Sequence, residues 1–328
     1  MSFRVHTGVN TLTLERAREM AARAERRGFD EVDFTDSAHE PFLPCVPAME
    51  ATERILVGTS VAIAFPRSPM VTAMTAWDLQ RFSGGRFVLG LGSQVKGHNE
   101  RRFSVPWSPP APRLREYVLA LRAIWNTFQT GERLDFHGEH YTFTLMTPNF
   151  SPGPIDHPHI PVQLAAVNTM NARVAGEVAD GIKLHPFHSP AYLKSVIIPA
   201  IEAGLAKSGR ARNQFEICGG GLIATGATEA EVEEATKQVR HWLSFYGSTR
   251  SYHAPLGERW ADLGAELHDM SLRGRWNEMA GRIPDDLVRE FAVVATYDRF
   301  AAAFKERYEG VVDSIGFAEN LNGPENEE

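Results

Sequence analysis

Thr59 and Ser60 sit side by side in an otherwise apolar stretch, VGTSVAIAF, residues 57–65. Val57, Val61 and Ile63 favour strand, and Pro66 and Pro69 close it. A buried hydroxyl without a partner costs roughly 1–3 kcal/mol. A core strand has no use for two of them, so something must engage them. A second reactive set lies in TDSAHEPF, where Asp36 and Ser37 precede His39. Imidazole titrates near neutral pH and suits general acid or base work, with a carboxylate to orient it. Ser37 beside His39 does not make a nucleophile of the hydrolase kind, because no G-x-S-x-G elbow is present. A third set follows a glycine-rich strand in LGLGSQVKGHN: Ser93, Gln94, Lys96, His98 and Asn99. A fourth is LAAVNTMNAR, in which Ala165, Ala166 and Val167 lead to Asn168, a credible helix N-cap. Free backbone N–H groups at such a start hold anions, although an ordinary capped helix would look the same. The last set is Lys183, His185 and His188. His137 with His140 and His157 with His159 read as solvated loop residues, and no H-E-x-x-H is present, so no metal centre is expected.

These residues need elements to position them. Strand-like and helix-like segments alternate along the chain. FRVHTGV, DEVDF, ILVGTSVAIAF, RFVLGLGS, IPVQLAAV, IKLHPF, FEICGGGLIATG and VDSIGFA read as strands. Each but the last is followed by a helical pattern, one opened by the capping box Thr228 to Glu231. The strands are rich in Val, Ile, Leu and Gly and alternate weakly, as strands buried on both faces do. Eight such units at this length predict a (β/α)8 TIM barrel, with a doubly wound open sheet as the alternative. The open sheet would carry G-x-G-x-x-G after an early strand, whereas Gly90 and Gly92 give only G-L-G-S-Q-V. In a barrel the site lies at the C-terminal ends of the strands, where the residues above fall, with Asn10 at the end of the first. Three segments exceed the minimal barrel: 95–112, 134–150 and 248–292. They are expected to form substrate loops and lids. Residues 1–320 are read as one barrel domain and 321–328 as a frayed acidic tail.

Bulk composition narrows the function. The chain has 328 residues, 43% of them hydrophobic, enough for a large core. A net charge of −7 gives no basic field for nucleic acid. No apolar run reaches the about 18 residues of a membrane span, and the N-terminus lacks the apolar region of a signal peptide. Two distant cysteines, Cys45 and Cys218, suggest a reducing cytoplasm.

Three blocks together resemble the bacterial luciferase-like monooxygenase superfamily. They are VGTSVAIAFPRSPMVTAMTAWDLQRFSGGRFVLGLGSQ, RLREYVLALRAIWNTFQTGERLDFHGEHYTF and IPVQLAAVNTMNARVAGEVADGIKL, in the family's order, within a match from about residue 5 to 320. With GTSV, AHEPF and GSQVK, the chain is similar to the branch using the deazaflavin coenzyme F420, in an actinobacterial and mycobacterial subgroup. The resemblance implies a luciferase-like barrel that moves a hydride between coenzyme F420 and a small-molecule substrate. It implies a non-proline cis peptide at Ser60–Val61, forming a bulge behind the ring. Ser93 and Gln94 would edge the ring or its ribityl chain, with His98 and Asn99 as hydrogen-bond partners. Ala165, Ala166, Val167 and Asn168 would hold the phosphate. Lys183, His185 and His188 would face the coenzyme tail or the substrate. Asp36 and His39 would stand at the reacting atoms, His39 as proton donor or acceptor and Asp36 as its orienter, although they are two residues further apart than the family's adjacent pair. Alternatives are an FMN-dependent monooxygenase fed by a separate reductase, and a cofactor-free barrel acting as a subunit. Family members commonly pair as homodimers. For the substrate, Lys183, Arg250, Arg259, Arg273 and Arg275 would suit a phosphate; Trp260, Trp276, Met270 and Met279 suit a larger apolar or polycyclic molecule, which is the reading preferred.

Overall fold

The computed structural model describes residues 3–9 and 13–316; Asn10 and the tail 321–328 lie outside them. Among the described residues thirteen strands form, in the order β1 (Arg4–Val9), β2 (Glu31–Phe34), β3 (Leu56–Thr59), β4 (Ala62–Ile63), β5 (Phe87–Gly92), β6 (Phe136–His137), β7 (Thr142–Phe143), β8 (Val162–Ala166), β9 (Gly181–Leu184), β10 (Glu216–Gly219), β11 (Leu222–Gly226), β12 (Ala292–Thr296) and β13 (Ser314–Gly316). The main sheet runs β3-β2-β1-β13-β10-β9-β8-β5-β4, and β3 also pairs with β5, which closes it. Strands β3 and β4 are two halves of one stave, so the barrel has eight parallel staves, as the alternation of elements predicts.

The helices start and stop where side chains allow. The helix Leu14–Arg26 is capped by Thr13, whose hydroxyl accepts from Arg16 N, and the chain turns at Gly28 with φ +83°. Its inner face is alanine: Ala17, Ala21 and Ala24 are fully buried. Pro69 opens the helix Pro69–Phe82 under a Ser68 cap. Helices Thr169–Val178 and Ile198–Ser208 touch through glycine. A Cβ on Gly176 would lie 2.3 Å from Ile201 O, and one on Gly204 2.1 Å from Arg173 O. Among the described residues no helix is long and apolar enough to cross a membrane.

The structure departs from the sequence reading in three places. FEICGGGLIATG is not one strand. It breaks at Gly220 and Gly221, whose φ of +152° and +67° suit glycine, and only β10 stays in the barrel. Strand β11 leaves to pair in parallel with β12, a strand the reading passed over inside AVVATYDRF. With the helices Glu229–Gly247, Ala261–Leu272 and Asp285–Phe291 this pair builds a second, smaller core around Leu243, Leu267, Leu287 and Phe291. Residues 95–112 are not all loop, since a short helix, Lys96–Arg101, forms there. The 134–150 hairpin is present as β6–β7. The Glu116 carboxylate fastens it by accepting from the backbone N–H groups of Glu139, His140 and Tyr141.

Candidate active site

The wall of the site begins where the third stave breaks. Thr59 is buried, and its hydroxyl donates to Gly90 O at 2.7 Å while accepting from Gly90 N at 3.0 Å. That hydroxyl is therefore answered by the neighbouring strand, not by a ligand. The next peptide, Ser60–Val61, is cis. Glycine on β5 makes room for this bulge. A Cβ on Gly90 would lie 1.9 Å from Thr59 O, and one on Gly92 2.6 Å from Val61 Cγ2. Residues two apart on a strand face the same side, which explains the G-L-G spacing.

Beside the bulge opens a cavity of about 970 Å³ at the C-terminal ends of the staves. Of the residues singled out in the sequence, Asp36, Ser60, Val61, Ser93, Gln94, Ala165, Ala166, Val167, Asn168 and Lys183 line it, together with His185. Gln94 holds a left-handed backbone, φ +55°, at the turn out of β5. Asn168 caps the helix Thr169–Val178, its side-chain oxygen accepting from Asn171 N at 3.1 Å. Asn171 also lines the cavity, and its own buried side-chain oxygen has no hydrogen-bond partner among the described residues.

His39 and His98 are not in the wall; both are exposed. Asp36 does not orient His39. Its carboxylate accepts from Ile63 N at 3.1 Å and from Arg67 Nη1 at 2.8 Å. Arg67 also reaches Glu40 at 3.2 Å, and Glu40 accepts from the backbone N–H groups of Phe42 and Leu43. The loop is thus pinned through Asp36 and Glu40, and His39 between them is left facing solvent. His98 loses its place to its neighbour. Successive helix residues are about 100° apart, and Asn99 is the one turned inward, its amide donating to Ser93 O at 2.9 Å.

Lys183 lies on the floor with its charge already matched. Its Nζ is 2.5 Å from Asp33 and 2.9 Å from Glu31. Burial lowers its pKa, but the two carboxylates outweigh that and raise it. Burial would likewise raise Asp33, yet the nearer contact with Lys183, helped by His6, holds it well below the usual carboxylate range. Glu31, further from the ammonium, is raised by burial. His6 Nδ1 lies 3.5 Å from Asp33 and its Nε2 3.3 Å from Cys218 Sγ. Burial disfavours its charge, but Cys218 and Asp33 raise its pKa well above the ordinary value. The donor atoms of His6, Glu31 and Asp33 lie within 4.8 Å of one another, and the Lys183 ammonium supplies the cation for that cluster.

His185 is a different kind of histidine. Its Nδ1 accepts from Phe187 N at 3.1 Å, so its proton sits on Nε2. Burial, with His188 nearby, lowers its pKa to about 3. It is therefore a neutral, fixed donor at pH 7. Its ring lies 4.4 Å from Tyr246 and 4.8 Å from Tyr252, edge to face. Tyr246 and Tyr252 line the cavity with Thr249, Ser251 and Trp107. The sequence reading singled out none of these five as site residues, although Trp107, Thr249, Ser251 and Tyr252 lie in the 95–112 and 248–292 segments it expected to form substrate loops and lids. The aromatic-dense tract WLSFYGSTRSY, 242–252, was the available signal.

Comparison with known proteins follows the same lines. The family profile described as luciferase-like monooxygenase matches residues 1–314. An uncharacterized protein of Mycobacterium tuberculosis is 46% identical over 303 residues, covering 92% of this chain and 89% of the relative. An F420-dependent glucose-6-phosphate dehydrogenase of Intrasporangium calvum is 30% identical over 275 residues, covering 77% and 78%. Among solved structures, the coenzyme F420-dependent tetrahydromethanopterin reductase from Methanopyrus kandleri superposes with a TM-score of 0.78 at 17% identity, covering 98% of this chain and 94% of that one. At that identity the likeness speaks for the fold.

Proposed function

This chain belongs to the luciferase-like monooxygenase family, and from that premise we propose that it is a coenzyme F420-dependent oxidoreductase acting on a small organic substrate. The observation that carries this reading is the bulge at Ser60–Val61, given room by Gly90 and Gly92 and facing a cavity of about 970 Å³. The residues present fit a deazaflavin on three counts. Val61 offers an apolar wall for a flat ring. The unpartnered Asn171 oxygen offers an acceptor to a hydroxylated chain. The start of the helix Thr169–Val178, beside Asn168, offers N–H groups to a phosphate. Bound there, the deazaflavin supplies a two-electron hydride donor or acceptor.

The chain's own tasks are then holding, orienting and keeping water out. Ser60 and Val61 back the ring, and the Asp36–Arg67 clamp keeps β4, and so Val61, in position. Ser93, set by Asn99, and Gln94 edge the site. Ala165, Ala166 and Val167 let the backbone come close to the cofactor. Lys96, on the exposed rim, faces the anionic end. Lys183 acts from below, as a charge balanced by Asp33 and Glu31. His185 holds its proton at Nε2 and donates it as a hydrogen bond to an oxygen in the cavity. His39 has no part in this reading.

Titrating the purified protein with coenzyme F420 and with FMN tests it. Tight deazaflavin binding and weak FMN binding is the expected result; the reverse would make the protein an FMN-dependent monooxygenase. Residues 1–320 act as one unit in this proposal, and in the cytoplasm, where Cys45 and Cys218 stay buried thiols. We also propose a homodimer, supported by the exposed Leu43, Val46, Val71 and Met74 on and beside the neighbouring helices Cys45–Glu50 and Pro69–Phe82. Sedimentation velocity reads that directly.

A further inference from the structure

We propose that the outer part of the cavity takes an uncharged, ring-bearing organic molecule, an alcohol or ketone on a fused-ring skeleton, and not a phosphorylated one. The inference rests on the reading above for the molecule's role as substrate, but its binding can be measured separately.

A ladder of rings leads from the surface into the cavity. Trp276 lies 6.2 Å from Phe245, Phe245 6.0 Å from Trp242, and Trp242 5.7 Å from Tyr246, stacked at 21°. Tyr246 is 5.6 Å from Tyr252, and both meet His185. All these spacings are in the range where aromatic rings attract. The outer three rings are exposed, Trp276 by 49%, Phe245 by 42% and Trp242 by 38%. Adjacent large apolar side chains left open to water beside a cavity mark a binding surface.

Electrostatics weighs against the phosphorylated alternative. The charged residues lining the cavity are Asp36, Lys96 and Lys183. Asp36 is paired with Arg67, and Lys183 with Asp33 and Glu31. That leaves Lys96, itself 3.9 Å from Glu100 and on the cofactor's side in the proposal above. None of the six arginines of the 248–292 segment lines the cavity. Arg250, between the lining residues Thr249 and Ser251, is exposed and has no ion pair among the described residues. The other five are paired: Arg259 with Asp286, Arg273 with Asp269, Arg275 with Glu278, Arg282 with Glu266 and Arg289 with Asp286. The ring wall itself is neutral at pH 7. Burial raises Tyr252 to about 12 and raises Tyr246 as well, and His185 is uncharged. A doubly charged phosphate stripped of water would meet only neutral donors on that wall and no cation to balance it. A ring system would find stacking faces, and a single oxygen on it would find donors in His185 and the tyrosines.

The test is calorimetric titration of the full-length, cofactor-free protein with 2-naphthol, 1-decalone and glucose 6-phosphate, alongside coenzyme F420. Expected are measurable binding of both ring probes and at least about tenfold weaker binding of glucose 6-phosphate. Trp242→Ala and Tyr246→Leu should each weaken 2-naphthol by about three- to tenfold, the loss of one ring contact. Trp242→Ala, at an exposed position, should leave coenzyme F420 affinity unchanged. Glucose 6-phosphate binding as tightly as the ring probes overturns the proposal. So does ring-probe affinity that neither substitution moves. Ring-dependent binding of 2-naphthol without any binding of coenzyme F420 would uphold the ligand class and overturn the cofactor reading.

Discussion

Substituting alanine at Gly90 and at Gly92 should separate folding from cofactor binding. Both glycines face the third stave, and neither has a left-handed backbone that would penalise alanine by itself. Only the obstacles differ. At Gly90 the added methyl meets the Thr59 carbonyl oxygen at 1.9 Å, and that oxygen belongs to the backbone of β3. Relief would require β3 and β5 to separate by more than 1 Å, breaking the pair of hydrogen bonds between Thr59 Oγ1 and Gly90. Overpacking of about 1–3 kcal/mol adds to about 1–3 kcal/mol for the orphaned polar groups. Gly90→Ala should therefore lose roughly 2–6 kcal/mol, a large share of a domain's stability. At Gly92 the methyl meets Val61 Cγ2 at 2.6 Å, with Ala165 Cβ the next neighbour at 3.6 Å. Val61 is free to yield on the side facing the cavity, so the fold should lose only about 1 kcal/mol. The displaced valine would intrude on the ring's wall and weaken coenzyme F420 binding by about tenfold, or about 1.4 kcal/mol. Urea unfolding and cofactor titration on both variants read the two effects. A Gly90→Ala protein as stable as the parent would refute the steric argument. So would a Gly92→Ala protein that loses stability but binds cofactor normally.

Other outcomes follow from the same contacts. Thr59→Val should cost about 1–3 kcal/mol in urea unfolding, since it strands the Gly90 N–H and C=O, while Thr59→Ser should keep most of it. Asp33→Asn leaves the Lys183 ammonium with only Glu31 and should cost about 3–5 kcal/mol by the same measure. His185 and His188, both depressed by burial, to about 3 and about 4, contribute stability that is complete above their ordinary value of 6.5. That stability falls as pH drops below 6.5, by at most about 1.4 kcal/mol per unit for each group. Unfolding at pH 7.5 and pH 5 should show it, and His185→Asn should flatten the slope. His39→Ala should keep both cofactor affinity and, once a substrate is in hand, turnover; a tenfold fall in turnover would return His39 to the mechanism.

What the sequence disclosed and what it hid divide along a physical line. Local patterns were legible. Strand composition and the helical spacing of apolar residues gave the eight units, and Asn168 was recognisable as a cap because capping is decided within four residues. The cis bond at Ser60–Val61 came from the family resemblance, since nothing local demands it. Long-range pairing was not legible. Lys183 looked like a free cation, because the carboxylates that match it stand about 150 residues earlier in the chain. His39 and His98 looked available because sequence does not say which of two neighbours a loop or helix turns inward. The glycines of GGG were read as part of a strand, whereas two of them carry the chain out of the barrel. Tyr246 falls four residues after Trp242 on a helix the spacing predicts, but spacing does not say that the end of this helix reaches the cavity. Tyr252 and Trp107 belong to segments outside the barrel pattern, so no register argument could aim them.

The departure of β11 from the barrel has an evolutionary corollary. The aromatic face of the cavity is carried by a unit with its own core, whereas the bulge, the glycines and the helix at Thr169 belong to the staves. Mutations can accumulate in the first without disturbing the second. A lineage built this way can change its clientele while its engine stays as inherited, and divergence among relatives should concentrate in residues 222–296.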